Sequence, residues 1–127
     1  MPPSGSRPGN SRRVAAERGG HRGETIAALL LRLKFYRILA RRFRTPVGEI
    51  DLVAQRGSTI AFVEVKSRAR GTSEEDTLDA VNTERIARAA EYWLMKHPAY
   101  GEHTLRFDLV LVSPGRWPSH RADAFRL

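Results

Sequence analysis

The chain has 127 residues and a mass of 14.3 kDa, enough for one compact domain and too little for two. It contains no cysteine, which excludes disulfides, thiolate metal sites, iron–sulfur clusters and a cysteine nucleophile, and fits a cytoplasmic protein. A net charge of +8 and a pI near 11 make a polyanion the default partner.

The charge is concentrated at one end. Residues 1–48 hold 11 Lys/Arg against Glu17 and Glu24, a balance of +9, while the remaining 79 residues sum to −1. A near-neutral body tolerates a specific acidic site, and a basic end supplies sequence-independent attraction to phosphate. The longest apolar run, Ile26 to Leu31, is far short of the roughly 18 residues that a membrane span needs, so no membrane association is expected. The opening Met1-Pro2-Pro3 with scattered arginines is also unlike a secretory signal.

Residues 1–18 are rich in Pro, Gly, Ser and Arg and are expected to be a disordered basic tail, with the folded domain over 19–127. Gly23 to Leu33 reads as a helix with Glu24 in its first turn and Ile26, Leu29, Leu30 and Leu33 on its apolar stripe. Tyr36 to Phe43 alternates as a strand, with Tyr36, Ile38, Ala40 and Arg42 on one side and Arg37, Leu39, Arg41 and Phe43 on the other. Thr45-Pro46-Val47-Gly48 is a turn. Glu49 to Ala54 and Thr59 to Lys66 are the clearest strands, joined as a hairpin through Gln55-Arg56-Gly57-Ser58. Arg68 to Asp79 is polar and without periodicity, which predicts a loop. Thr83 to His97 is a helix with Ile86, Ala89, Ala90, Trp93 and Leu94 at helical spacing, ended by Pro98. Arg106 to Val112 is a short strand, and Arg121 to Leu127 is a candidate edge strand. Helix, three strands, helix and one or two strands make a small α/β sandwich with a mixed sheet.

The segment that carries chemistry is the central hairpin. Side chains alternate along a strand, so Glu49 and Asp51 share a face, as do Phe62, Glu64 and Lys66. A turn centred on Arg56-Gly57 sets Asp51 opposite Phe62 and Glu49 opposite Glu64, with Asp51 and Glu64 as diagonal neighbours on one polar face. The other face, Ile50, Leu52 and Ala54 against Ala61, Val63 and Val65, is wholly apolar. Like charges facing each other in a sheet are destabilising unless a cation sits between them. Magnesium suits such a pair because it takes oxygen ligands and is held by one or two carboxylates plus substrate phosphate; manganese is the natural substitute. Lys66 beside it would stabilise charge developing on a phosphorane. An exposed Glu-x-Lys strand is more often only a solvated face, and it is Asp51 at matching parity that raises this one above that background.

An acid followed about a dozen residues later by Glu-x-Lys resembles the PD-(D/E)xK nuclease superfamily. More narrowly, Arg22-Gly23-Glu24, Tyr36-Arg37-Ile38-Leu39-Ala40-Arg41, Gly48-Glu49-Ile50-Asp51-Leu52, Phe62-Val63-Glu64-Val65-Lys66 and Arg106-Phe107-Asp108 resemble the YraN-like family of uncharacterised bacterial proteins, itself similar to Holliday-junction resolvases. The resemblance runs over about residues 19–127 and implies a restriction-endonuclease-like core, a mixed central sheet flanked by helices. Asp51 and Glu64 would then be the metal ligands, Lys66 the group that stabilises the transition state or orients water, and Glu24 an additional acid brought by the first helix. Ile50 stands where the superfamily pattern has proline, and Arg85 where relatives are expected to carry lysine; Arg85 is a candidate phosphate contact.

Outside the hairpin, Arg32, Lys34, Arg37, Arg41, Arg42 and Arg44 put six bases within 13 residues without an acid. They read as a phosphate-contacting ridge, as a solvated face, or as part of one basic amphipathic helix from Glu24 to Arg44. The four histidines lack zinc-ligand spacing. Trp117, between Arg116 and Pro118, either stacks on a base or packs over the sheet edge, and the roles of Glu49 and Asp108 stay open. The expected function is magnesium-dependent endonuclease action on structured or branched DNA, with a homodimer called for by junction-type substrates. The alternative is a non-catalytic nucleic-acid-binding or interaction module on the same fold.

Overall fold

A computed structural model describes residues 22–68 and 73–126; the expected tail over 1–18 lies outside the described residues. Helix α1 spans 22–33. Five strands follow, β1 (Arg37–Thr45), β2 (Gly48–Arg56), β3 (Thr59–Ser67), β4 (Thr104–Val112) and β5 (Ser119–Arg121), with α2 (Glu74–Asp79), α3 (Thr83–Lys96) and a short 3₁₀ turn (Pro98–Tyr100) between β3 and β4. The strands lie in one sheet in chain order; β3 and β4 are parallel and the other neighbours antiparallel. Parallel neighbours need a crossover, and α2 and α3 provide it. No helix among the described residues is long and apolar enough to cross a membrane.

Apolar side chains divide between the two faces of the sheet. Ala27, Ala28 and Leu31 of α1 pack with Tyr36, Leu52, Ala54, Ala61, Val63 and Val110. Ile86, Ala89, Ala90 and Trp93 of α3 pack with Val53, Ile60, Phe62, Leu109 and Leu111 on the other face. The result is an α/β architecture with a five-stranded mixed sheet flanked by helices, consistent with the expected restriction-endonuclease-like core. Arg37–Thr45 is strand and not a continuation of α1, which removes the single-basic-helix reading.

Four local expectations are corrected. Residues Arg68 to Asp79 are not all loop: Ser73 caps α2 by accepting from the backbone N–H of Asp76, and Glu74, Glu75 and Asp76 complement the helix dipole in the first turn. A cap motif and macrodipole thus make a helix where apolar periodicity gives no signal. The edge strand is Ser119–Arg121, upstream of the expected Arg121 to Leu127; it pairs with Leu109 to Leu111 of β4. The alternation of β1 breaks between Ile38 and Ala40, where the register with β2 shifts, and Arg42 adopts φ of 50°. Leu39 and Ala40 therefore both pack on the α3 side, as a bulge dictates. Finally, the β2–β3 pairs are Leu52↔Val63, Val53↔Phe62 and Arg56↔Thr59, so the turn is Gly57-Ser58, with Gly57 at φ of +59°. This two-residue slip keeps every side chain on its face but changes who faces whom.

One glycine fixes α3 against β2. A Cβ on Gly48 would lie 2.2 Å from the carbonyl oxygen of Arg85 and 3.5 Å from the Ala89 side chain. Gly48→Ala should therefore push the first turns of α3 off the sheet at a cost of about 1–3 kcal/mol, read as a melting temperature lower by several degrees. An unchanged melting temperature would mean that α3 is not held this closely.

Candidate active site

Pairing between β2 and β3 stops at Leu52↔Val63, and beyond it the ladder is replaced by a side chain: Asp51 Oδ2 accepts the backbone N–H of Val65 at 2.7 Å. Extending the register places Asp51 across from Glu64 and Glu49 across from Lys66. The expected Asp51–Phe62 and Glu49–Glu64 oppositions are thus replaced. Ile50 joins the α3 core although it shares parity with Leu52 and Ala54, so β2 leaves strict alternation where the pairing ends. The expected wholly apolar face accordingly starts at Leu52.

Into this opening the strands and α3 build a cleft of about 240 Å³ lined by Glu49, Asp51, Glu64, Lys66, Asn82, Arg85 and Ile86. Asn82 caps α3 by accepting from the backbone N–H of Arg85, which brings the start of that helix to the cleft. Sequence reasoning left out Asn82 and Ile86; an N-cap next to a helix start was the available signal for the first.

The carboxylates of Asp51 and Glu64 face the same cleft as close neighbours, near enough for the charge of Asp51 to act on Glu64. Burial of Glu64, then the negative charge and hydrogen bond of Asp51, push its carboxyl up to about 8, with Lys66 opposing. Lys66 Nζ stands 3.6 Å from Glu64 Oε1. The Asp51–Glu64 pair is therefore short of compensating positive charge, and its carboxyls favour sharing a proton over being doubly ionised.

Glu24 does not line the cleft but is close enough to Asp51 and Glu49 for their charges to act on it. Its pKa is raised, by burial first, against the opposing charge of Arg42. Arg42 Nε lies 3.1 Å from Glu24 Oε2 and Arg41 Nε lies 4.0 Å from Oε1, yet among the described residues the buried Oε1 has no hydrogen-bond donor.

The basic stretch is not one continuous ridge. Lys34 turns inward to the ring of His120, Arg41 and Arg42 turn to Glu24, and Arg44 lies 3.7 Å from Glu49. Arg32, Arg37, Arg41 and Arg44 are exposed. Asp108 stands apart from the cleft. It is fully buried and accepts from both Nε and an Nη of Arg106 at 2.8 Å, pairs with His120 Nε2 at 2.7 Å, and accepts the Asp123 backbone N–H at 3.0 Å.

Could the cleft accept a divalent cation? Two neighbouring carboxylates with too little compensating positive charge form an oxygen donor pair of the kind magnesium uses, completed by water and phosphate. Glu24 adds negative charge from the α1 side, near enough to couple to Asp51 and Glu49. Among the described residues no group of three or more carboxylate or imidazole side chains is gathered closely enough to ligate a metal by itself, so the fit is to a cation that keeps several waters. Magnesium meets that condition better than zinc.

The profile of a family described as "Uncharacterised protein family UPF0102" matches residues 23–112, from the first turn of α1 to the end of β4. A UPF0102 protein of Parvibaculum lavamentivorans is 50% identical over 125 residues, covering 98% of this chain and 94% of that protein. Another from Chelativorans is 52% identical over 108 residues, 85% of this chain and 87% of its own. A third, from Rhodopseudomonas palustris, is 54% identical over 113 residues, with 89% and 88% covered.

Proposed function

The chain belongs to the uncharacterised protein family UPF0102, the YraN-like family that its motifs resemble, and from that premise we propose that it is a metal-dependent nuclease hydrolysing phosphodiester bonds in structured DNA. The observation that carries the reading is the gathering of Asp51, Glu64 and Lys66 in one cleft opened by the end of β2–β3 pairing.

Asp51 and Glu64 would hold magnesium or manganese, which when bound lowers the pKa of its water and neutralises phosphate charge. The backbone N–H of Val65 fixes the Asp51 carboxylate, so it meets a substrate already oriented. Glu64 would serve as a ligand in its ionised form, with its proton released to solvent. Lys66 lies where it can place positive charge against the phosphoryl oxygens as they gain charge in the transition state. Arg85, at the first turn of α3 on the rim of the cleft, can take a flanking phosphate. Glu24 acts through electrostatic attraction for the cation from the α1 side and is a positioning residue.

Incubation of labelled flapped and four-way DNA with the protein tests this reading. Magnesium or manganese should give cleavage, and calcium, with its more flexible coordination, should support binding without cutting. No cleavage of any structured substrate with either catalytic ion would leave the non-catalytic binding module. Binding should also weaken with salt: Arg37→Ala and Arg44→Ala, both at exposed positions, should each reduce the slope of log affinity against log salt by about 0.9 on duplex DNA. An unchanged slope would assign both to an ordinary solvated face.

A further inference from the structure

The end of β3 serves a second concavity. A groove of about 770 Å³ on the α1 side has Ile26, Val112 and Pro114 in its walls and Arg22, Arg68 and Arg116 among its lining residues. Trp117 lines it too and is 88% exposed, so the edge-packing expectation for this residue does not hold. The other tryptophan, Trp93, is 1% exposed in the α3 core. An open indole over an apolar floor, with Arg22 and Arg116 beside it and Arg68 facing Glu74 at 3.7 Å, has the chemistry of a stacking platform for a base whose phosphates are met by arginine.

The groove and the cleft lie on opposite faces of the end of β3. Lys66 lines the cleft and Ser67, the next residue, lines the groove. On α1, Arg22 borders the groove while Glu24, two residues on, feels the charges of Asp51 and Glu49. Gly23 between them approaches Val65, its Cβ position being 3.7 Å from Val65 Cγ1. The first turn of α1 and the end of β3 therefore form one ridge with a site on each side, and Glu64 and Ser67 are about 10 Å apart along the strand.

We propose that the Trp117 groove receives an unpaired nucleotide flanking the phosphodiester held at the cleft, so that the substrate carries a single-stranded segment. A duplex keeps its bases stacked on one another and offers the indole no free face; a flap or frayed end does. The chain's own residues 1–21 carry four arginines and one glutamate, the wrong sign for a groove bordered by three arginines. The inference rests on the nucleic-acid part of the function proposed above and not on turnover.

The test is therefore binding, measured with calcium on the Glu64→Gln protein, using a blunt duplex and the same duplex with a three-nucleotide flap. Trp117→Ala should weaken binding to the flapped DNA by about 5- to 150-fold, the effect of losing one base–aromatic stack, and change blunt-duplex binding by less than about twofold. Trp117→Phe, which keeps an aromatic face, should restore most of the difference. Flapped DNA should quench an indole emission that is absent from Trp117→Phe. Equal affinity for the two DNAs, or no effect of Trp117→Ala, overturns the proposal. So does a shift of the Trp117 emission on deleting residues 2–18 without DNA, which would make the chain itself the occupant. If flap discrimination stands but no cleavage is found, the hydrolytic reading falls alone; if cleavage proceeds unaltered in Trp117→Ala, this proposal falls alone.

Discussion

Glu64→Gln should cut DNA cleavage by about a hundredfold or more, the scale of removing one preorganised charge from a transition state, while binding to DNA holds or tightens. Glutamine keeps the size of the side chain and loses the negative charge that would face the ion. The same substitution should stabilise the ion-free protein in alkaline solution. The Glu64 pKa is raised in the folded state, from an ordinary value of 4.5 to about 8, so the folded protein binds the extra proton between those limits. Its stabilising contribution is complete below pH 4.5 and is lost as pH rises through about 8, an upper bound of about 5 kcal/mol. Thermal melts in chelator should thus show wild type falling below Glu64→Gln between pH 6 and 9, with the two close at pH 5. Parallel melts across that range would mean that Glu64 and Asp51 are not close neighbours.

The second large effect lies away from the cleft. Asp108→Ala should cost about 3–5 kcal/mol, because it leaves Arg106 and the buried ring of His120 without their common partner. For a domain of this size that is a fall of about 10–20 °C in melting temperature. Burial by itself would raise the Asp108 carboxyl, but the hydrogen bonds from His120, Arg106 and the Asp123 backbone, with the Arg106 charge, hold it at about 2. A lowered pKa reverses the sign found for Glu64. The contribution of Asp108 is complete above its ordinary 3.8 and is lost as pH falls through about 2, about 2 kcal/mol in all. Acid unfolding of wild type should therefore steepen below pH 4, and Asp108→Asn should flatten it. A variant as stable as wild type would mean that Arg106 and His120 find water or other partners.

Much of this was legible in the sequence because it followed from periodicity. The stripe of α3 and the parity of β2 and β3 each depend on where apolar residues recur, and a register error of two leaves parity untouched. That is why Asp51, Glu64 and Lys66 were placed on a common face even though the hairpin turn was set one residue too early. The expected α1 stripe of Ile26, Leu29, Leu30 and Leu33 does not hold, because Leu29 and Leu33 are exposed and α1 buries the small residues Ala27 and Ala28 with Leu31 instead. What periodicity does not encode was missed. Helix α2 is held by the Ser73 cap and three acids, with little apolar stripe to announce it. The bulge of β1 and the departure of β2 from alternation at Asp51 are made by backbone groups that find partners out of register. The role of Asp108 stays open in the sequence because an acid on a strand reads alike at a site and in a core; Arg106 and His120, twelve residues away, place it in the core. Likewise, six bases in a row of 13 residues suggest a single surface, whereas Lys34 and Arg42 turn toward partners inside the domain.

The central claim is that the Asp51–Glu64 pair holds a divalent cation, and calorimetric titration of manganese or magnesium near pH 6.5 tests it most directly. Repeating the titration in two buffers of different ionisation enthalpy counts the protons released. Wild type should bind the ion and release close to one proton, the one that the Asp51–Glu64 pair shares at that pH. Glu64→Gln should bind more weakly and release none, while Lys66→Ala should bind as well or better because a neighbouring positive charge is gone. Absence of ion binding to wild type, or the same proton release from Glu64→Gln, would contradict the account.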